Sequence, residues 1–364
     1  MNNIFRNIAF IFFFFAGMQV YAAEFAVAAN PESEETELNV TELILDHLAD
    51  SYEWHIATFG HTHISIPLPV IVKGKNSGWH IFSSARFKHG HAEYKGFYLS
   101  KNKDTKGKIV EKNSSGEEVR PLDISITKNA ASLLLSSTFL IFMVMSCARW
   151  YKKRQGKPEE ISPKGFIAAI EMLIMTIVND VAKPCIGKNY KRYIPYLLTV
   201  FFFIFFNNLL GLIPIFPGGA NVTGNIAITS VLAIFTFVIV NIFGSKEYWK
   251  EIFWPDVPIW LKALPVMPAI ELIGVFTKPF ALMIRLFANI LAGHAIVLGL
   301  TSMIFLTVSL GATLNTSMSI MAILMSVLIG FVELLVAFIQ AYVFTLLSSV
   351  FIGLSQVEPH HVKN

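Results

Sequence analysis

The sequence is short of charged residues. Only 15% of its 364 residues are Asp, Glu, Lys or Arg, against about 25% in an ordinary soluble domain. The shortage is uneven, because 42 of the charged residues lie in residues 1–192 and 12 in residues 193–364. A soluble core so poor in charge would expose large apolar patches, whereas a bilayer excludes each charge near its centre at roughly 2.5–3.5 kcal/mol. The second half is therefore predicted to lie in a membrane.

Other shortages exclude further classes of protein. A net charge of +4 is too small and too scattered for a nucleic-acid binder. The sequence contains no Gly-x-x-x-x-Gly-Lys-[Ser/Thr] phosphate loop, so this chain is not expected to bind ATP through one. The two cysteines, Cys147 and Cys185, both fall on the predicted cytoplasmic side, where no disulfide is expected. No cofactor or metal site is predicted.

Residues 1–23 have the features of a signal peptide. Arg6 is followed by the apolar block 9–15, and the small residues Ala22 and Ala23 offer a cleavage site. The alternative is a retained transmembrane helix, but an apolar run of roughly a dozen residues is shorter than the ~20 needed to span a bilayer. We therefore predict a cleaved signal peptide followed by an exported domain.

Residues 24–127 are polar and are predicted to form a small periplasmic domain, rich in short strands and hairpins. Seven of the ten histidines lie here, including the pairs His61/His63 and His89/His91. The i, i+2 spacing points two imidazoles to one face of a strand, which a metal site could use. Because cysteine and a clear carboxylate partner are missing, solvent-exposed histidines are the favoured interpretation.

Uncharged intervals predict about five transmembrane helices in a membrane domain of residues 128–364. The interval 129–148 ends at a basic cluster, which the positive-inside rule places in the cytoplasm. Turn-forming residues divide the next uncharged stretch into spans at 193–213 and 225–245. Two longer helices follow at 269–311 and 318–352, and each must be tilted or bent because forty-odd residues extend about 60 Å. The predicted fold class is an all-α polytopic membrane protein with a small exported domain that is α+β or β-rich.

The two long helices contain ionisable and amide side chains. These are Glu271, Lys278, Arg285, Asn289, His294, Glu333 and Gln340. An ionisable residue inside a transmembrane segment indicates function unless an ion pair or interhelical hydrogen bond explains it. No acidic residue lies within two helical turns of Arg285, and an arginine stays protonated in proteins. Arg285 therefore needs a partner from elsewhere in the fold or from another chain.

Helix geometry pairs these residues. A short connecting loop makes the two helices antiparallel. Arg285 and His294 are about 13 Å apart along one helix, and Glu333 and Gln340 are about 10 Å apart along the other. Gln340 should therefore lie level with Arg285, and Glu333 level with His294. Imidazole and carboxylate can pass a proton at physiological pH, which arginine and an amide cannot. Glu271 lies toward the other end of its helix and could serve a second water-accessible path.

The residues from Phe276 to His294 and from Glu333 to Leu347 resemble the a subunit of the F-type ATP synthase. The pattern Arg-Leu-Phe-x-Asn-x-x-Ala-Gly that begins at Arg285 is highly specific, and the resemblance covers about 165–355. It implies that Arg285 is the essential arginine of the family, with Asn289 and Gln340 as the accompanying amides. It also implies a proton-uptake pair of His294 and Glu333, swapped relative to some bacterial members. Residues 24–127 resemble the extended N-terminal region of some Gram-negative members.

The resemblance implies a proton-translocating subunit of the F0 sector in the cell inner membrane, with a cytoplasmic C-terminus. Two offset half-channels would deliver protons to carboxylates of a rotating c-ring, along a path that includes His294, Glu333, Glu271 and Lys278. The implied partners are the c-ring, the b subunits of the peripheral stalk and membrane lipids, and ATP synthesis would be catalysed elsewhere in the complex. The alternative is a stand-alone proton-coupled secondary transporter or channel, which usually shows inverted repeats; the halves of this sequence show no self-similarity.

Overall fold

The computed structural model of the chain forms two compact units. The first comprises Met1–Leu135, Leu210–Val222 and Ala295–Gly330, and the second comprises Ser136–Leu209, Thr223–His294 and Phe331–Asn364. The structure describes residues 50–59, 62–75, 78–102, 105–113, 116–154, 163–213, 218–254, 266–308 and 311–356. The predicted signal peptide, residues 1–23, lies outside the described residues.

The first unit contains a region of short antiparallel strands, which confirms the predicted β-rich N-terminal part. Their order in three small sheets is β1-β2, β4-β3-β8 and β5-β6-β7. The strands are β1 (Glu53–Phe59), β2 (Thr62–Pro67), β3 (Pro69–Gly74), β4 (Gly78–Ser83), β5 (Phe97–Leu99), β6 (Ile109–Lys112), β7 (Glu118–Val119) and β8 (Leu122–Asp123).

Alternating side chains build the core of the β-rich region. Val70 and Val72 on β3 point inward and are fully buried, and they pack with Phe87 and Phe97. The phenol of Tyr52 donates a hydrogen bond to the Asp123 carboxylate and so ties the start of the region to β8. Burial of this ring and its bond to Asp123 raise the pKa of Tyr52 above its usual range.

The first helix, α1 (Lys128–Arg154), starts directly on the β-rich region. The backbone N–H of Lys128 donates to the Ser51 carbonyl at 2.8 Å, and the N–H of Asn129 donates to the Asp50 carboxylate at 3.0 Å. These acceptors satisfy N–H groups that have no partner within the helix itself. The β-rich region and α1 are therefore joined without a flexible linker.

Helices make up nearly all of the rest of the described chain. They are α2 (Phe166–Thr176), α3 (Lys183–Ile186), α4 (Tyr190–Leu212), α5 (Ile226–Ile242), α6 (Lys246–Phe253), α7 (Val266–Leu306) and α8 (Ala312–Ser355). A π-helical turn at Ile177–Ala182 and a 3₁₀ turn at Gly187–Asn189 connect α2, α3 and α4. Among the described residues, four helical segments are long and apolar enough to cross a membrane, or five if α5 and α6 form one span. This confirms the polytopic all-α fold class.

The third interval that the sequence assigned to a span, 225–245, is bent in the structure. Helix α5 ends at Ile242, and α6 begins at Lys246 after a turn of 98°. Ser245 causes the new start, because its hydroxyl accepts a hydrogen bond from the N–H of Tyr248 at 3.1 Å. Helix α5 alone extends only about 26 Å.

The bounds of the last two helices differ from those that the hydrophobic pattern predicted, because α7 begins and ends earlier in the chain and α8 is longer at both ends. Helix α7 has 41 residues and α8 has 44, which correspond to about 60 and 66 Å. Helix α8 begins at Ala312 rather than near residue 318, because the turn-prone residues there form its first turn, where Asn315 accepts a hydrogen bond from Thr307 at 2.8 Å. Pro279 lies inside α7, which continues through it.

The second unit has a continuous apolar core. Leu197, Phe201 and Ile204 on α4 are fully buried, and Leu282 and Leu286 on α7 are almost fully buried in the same cluster. Burial of this stripe on α7 leaves the opposite side of the helix exposed.

Candidate functional site

Helices α7 and α8 lie in close contact where Glu333 meets Gly293. A methyl group at Gly293 would lie 2.6 Å from Glu333 Oε1 and 3.3 Å from its Cδ. The carboxyl group therefore rests on the backbone of α7, in a space that only glycine leaves open. His294 follows Gly293 directly, and both His294 and Glu333 are half-buried.

A second contact fixes the direction of the two helices. The ammonium group of Lys278 lies 5.8 Å from the centre of the Phe351 ring, fifteen residues before Gly293 on α7 and eighteen after Glu333 on α8. The helices are therefore antiparallel along this stretch. Interpolation between the two contacts puts Gln340 within about one helical turn of the level of Arg285. Gln340 itself is buried, with 7% of its surface exposed.

Arg285 and Asn289 lie on the exposed side of α7, one turn apart. Within the described part of the chain, no hydrogen bond or ion pair involves the Arg285 side chain. The exposed residues around it, Ala281, Ala288 and Ala292, are small and share its face at helical spacing. This face combines a permanent positive charge with a surface that another helix can approach closely.

Glu271 and Lys278 lie nearer the start of α7. Glu271 is exposed and lies about 21 Å along the helix from Arg285, on the side away from Glu333. Lys278 is half-buried against Phe351. The structure therefore does not bring Glu271 together with Glu333 and His294, and Arg285 lies between the two groups along α7.

The structure also contains buried polar side chains that the sequence analysis did not select. The Ser136 hydroxyl donates to Asn207 Oδ1 at 3.0 Å, and the Thr223 hydroxyl donates to Asn208 Oδ1 at 2.7 Å. Asn208 Nδ2 in turn donates to the carbonyl of Ala337 at 3.3 Å, one turn after Glu333 on α8.

The sequence signal that could have identified these buried polar groups is the adjacent pair Asn207 and Asn208 inside an uncharged interval. The sequence analysis did not select them, because an amide side chain in a transmembrane helix commonly serves only to form a hydrogen bond with another helix.

The histidines of the N-terminal region do not form a metal site in the described residues. His61 lies outside them, and nothing is described of the side chain of His63. His89 Nδ1 lies 2.7 Å from the Glu53 carboxylate, as an ion pair when the imidazole is protonated. No group of three or more His, Cys, Asp or Glu residues in the described ranges is arranged to hold a metal ion.

Comparison with known proteins identifies the family. A family model described as "ATP synthase A chain" matches residues 132–353, and a model for a domain of unknown function matches residues 43–129. The chain is 38% identical to "ATP synthase subunit a" of Chlorobium phaeobacteroides over 83% of this chain and 86% of that protein. It is 43% identical to "ATP synthase subunit a 2" of Chlorobaculum tepidum over 65% of each chain, and 37% identical to "ATP synthase subunit a" of Chloroherpeton thalassium over 67% and 70%. The chain therefore belongs to the ATP synthase A chain family.

Proposed function

We propose that this chain is the proton-translocating a subunit in the membrane sector of an F-type ATP synthase. The observation that carries the proposal is the position of Arg285. Its guanidinium lies on an exposed face of a membrane-spanning helix, and no side chain in the described residues neutralises it. A permanent cation facing hydrocarbon is costly, so this face requires an anionic partner from another chain.

A ring of small proteolipid subunits, each with a carboxylate at membrane depth, supplies such a partner. The exposed alanines beside Arg285 allow a ring helix to pass close to the charge. A cation opposite a carboxylate favours its deprotonated form and repels a proton that would cross directly. Asn289 and Gln340 supply amide hydrogen bonds near the same level without carrying charge.

Proton delivery is assigned to Glu333 and His294. A half-buried carboxyl next to an imidazole can exchange protons with water and pass them inward, which is the role of a general acid and base. Asn208 on α4 is hydrogen-bonded to Thr223 and to the Ala337 carbonyl, and so adds a buried polar group one turn after Glu333 along α8.

Glu271 and Lys278, on the other side of Arg285 along α7, line the second path. Two paths that end at different levels force the ring to turn before a proton can leave. Each charge that moves through the membrane potential gains about 2.3 kcal/mol per 100 mV.

The same proposal includes orientation and assembly. The basic residues at the end of α1, Arg149, Lys152 and Lys153, favour a cytoplasmic location for that end. The β-rich region is then on the periplasmic side of the inner membrane after removal of the signal peptide, and the C-terminus is cytoplasmic. The b subunits of the peripheral stalk and the ring complete the complex, which contains the ATP-synthesising subunits elsewhere.

The proposal is tested with Arg285→Ala and Glu333→Gln in membrane vesicles that contain the whole complex. We expect Arg285→Ala to reduce proton-driven ATP synthesis to background. Glu333→Gln should slow dye-monitored proton passage by on the order of 10²-fold, because it removes a positioned proton-transfer group.

The matched control is Lys152→Ala, which removes an exposed positive charge from the end of α1. Native gels must show that all three variants assemble with a proteolipid ring. Normal synthesis by assembled Arg285→Ala complexes would contradict the proposal.

A further inference from the structure

One face of the β4-β3-β8 sheet is apolar and uncovered in the described structure. On this face the register pairs Ile71 with Ile81 and Lys73 with both Trp79 and Leu122. The Ile124 N–H donates to the Ile71 carbonyl at 2.9 Å, which places Ile124 beside the first pair. We call this the outer sheet face, which comprises Ile71, Lys73, Trp79, Ile81, Leu122 and Ile124.

The exposure of the outer sheet face is unusual. Ile81 exposes 73% of its surface, and Trp79, Leu122 and Ile124 expose 54%, 56% and 57%. On the opposite side of the same sheet, Val70 is fully buried in the core. A contiguous patch of exposed apolar side chains indicates an interaction surface rather than an ordinary solvated sheet.

The position of the outer sheet face relative to α1 suggests what covers it. The uncharged residues 129–148 extend about 30 Å as a helix, which equals the thickness of the hydrocarbon core. Lys128 then lies at the edge of the hydrocarbon core, and the headgroup layer outside the core is about 5–7 Å thick. Ile124 is four residues before Lys128, and the segment after β8 that contains it is held beside β3 by the bond from the Ile126 N–H to the Pro69 carbonyl at 3.1 Å.

The chemistry of the outer sheet face fits a bilayer surface. Tryptophan is enriched at membrane interfaces, where its ring is partly in hydrocarbon and partly in water. The Lys73 ammonium lies 5.7 Å from the centre of the Trp79 ring, so it covers the ring while keeping its charge at the surface. None of the six residues is acidic, and the neighbouring Lys75 and Arg120 are exposed. Anionic lipid headgroups complement this charge.

We infer that the outer sheet face lies on the surface of the bilayer that α1 crosses, with its isoleucines among the lipid headgroups and upper acyl chains. Because α1 starts without a linker, the β-rich region cannot leave this surface by pivoting freely. The inference concerns lipid contact alone and holds on whichever side of the membrane the region lies.

Spin labels at single cysteines test the inference in the assembled complex. Cys147→Ala and Cys185→Ala remove the native thiols, and a nitroxide is attached after Ile81→Cys or, separately, Leu122→Cys. The vesicles contain equal parts of phosphatidylcholine and phosphatidylglycerol. The measured quantity is the ratio of nitroxide collisions with oxygen, which concentrates in bilayers, to collisions with a nickel chelate confined to water.

We expect this ratio to be several-fold higher at positions 81 and 122 than at the control Lys112→Cys, an exposed position on β6. Both test positions are exposed, so a label disrupts no core contact. Ratios equal to that of the control would overturn the inference, because the face would then be in water. Exclusion of both reagents would also overturn it, because a protein surface would then cover the face.

Discussion

Two positions on α7 have opposite surroundings at the scale of single residues. Arg285 is exposed, whereas the backbone of Gly293 is covered by the carboxyl group of Glu333. The first arrangement leaves a charge available to another chain. The second holds the proposed proton-transfer group in one place, because the missing side chain of glycine makes room for it.

We predict that Gly293→Ala slows proton passage while the complex still assembles. The added methyl group would be 2.6 Å from Glu333 Oε1, so the flexible carboxyl group must move from its place on the backbone of α7. A displacement of ~1 Å in a reacting group costs on the order of 10²-fold in rate. The measurement is dye-monitored proton uptake by vesicles.

Gly299→Ala is the matched control for this prediction. Gly299 lies on the same helix, and nothing lies within 4 Å of a methyl group placed there. We expect this variant to keep the wild-type rate, because alanine is the better helix former. Equal rates in the two variants would show that the space at Gly293 is not needed.

At the scale of elements, α8 crosses α3 very closely. A methyl group at Gly353, near the end of α8, would overlap the backbone oxygen of Cys185 on α3. A backbone carbonyl in a short helix between two turns cannot move aside as a side chain can. The end of α8 is further tied by the N–H of Ser245, which donates to the Ser355 carbonyl at 2.8 Å.

Gly353→Ala is therefore expected to destabilise the second unit. Forcing an extra carbon into a packed contact costs typically 1–3 kcal/mol, and here α8 must shift away from α3. The thermal midpoint of the purified complex in detergent should fall. Gly274→Ala on α7 serves as the control, since its methyl group meets nothing within 4 Å. A midpoint equal to that of the control would refute the prediction.

At the scale of the whole molecule, the first unit joins segments that are far apart in sequence. The buried Trp54 indole N–H donates to the carbonyl of Gly218 at 3.2 Å, across 164 positions of the chain. Ala220 and Val222, in the same connection after α4, are 1% exposed. The β-rich region therefore packs with a connection of the membrane domain and is not an independent appendage.

We expect Trp54→Phe to loosen this connection. Phenylalanine keeps most of the apolar contact but cannot donate, and a buried carbonyl without a partner costs about 1–3 kcal/mol. Hydrogen exchange in residues 218–222 of the full chain should accelerate, while exchange in β3 stays as in the wild type. Trp79→Phe is the control, because that ring is exposed on the outer sheet face. Unchanged exchange in 218–222 would count against a role for this bond.

Some features were predictable from sequence because they depend on local composition. The fold class follows from uncharged intervals, and the alignment of Glu333 with the residues around His294 follows from the rise of a helix and a short loop. The bend between α5 and α6 was missed because it depends on the cap formed by Ser245 within an uncharged stretch. The buried Asn208 was missed because its partners, Thr223 and the Ala337 carbonyl, are remote in sequence.

The sequence by itself determined that this protein is embedded in a membrane and that Arg285 is an exception within it. The cost of a charge in hydrocarbon is a property of that residue and its immediate neighbours, so no tertiary contact is needed to detect it. Only the tertiary structure decided that Arg285 faces outward and that the Glu333 carboxyl rests on Gly293. It also decided that the Trp54 indole donates a hydrogen bond to the Gly218 carbonyl. These features depend on contacts between distant segments, whose direction and distance are set by the packing of whole helices and sheets.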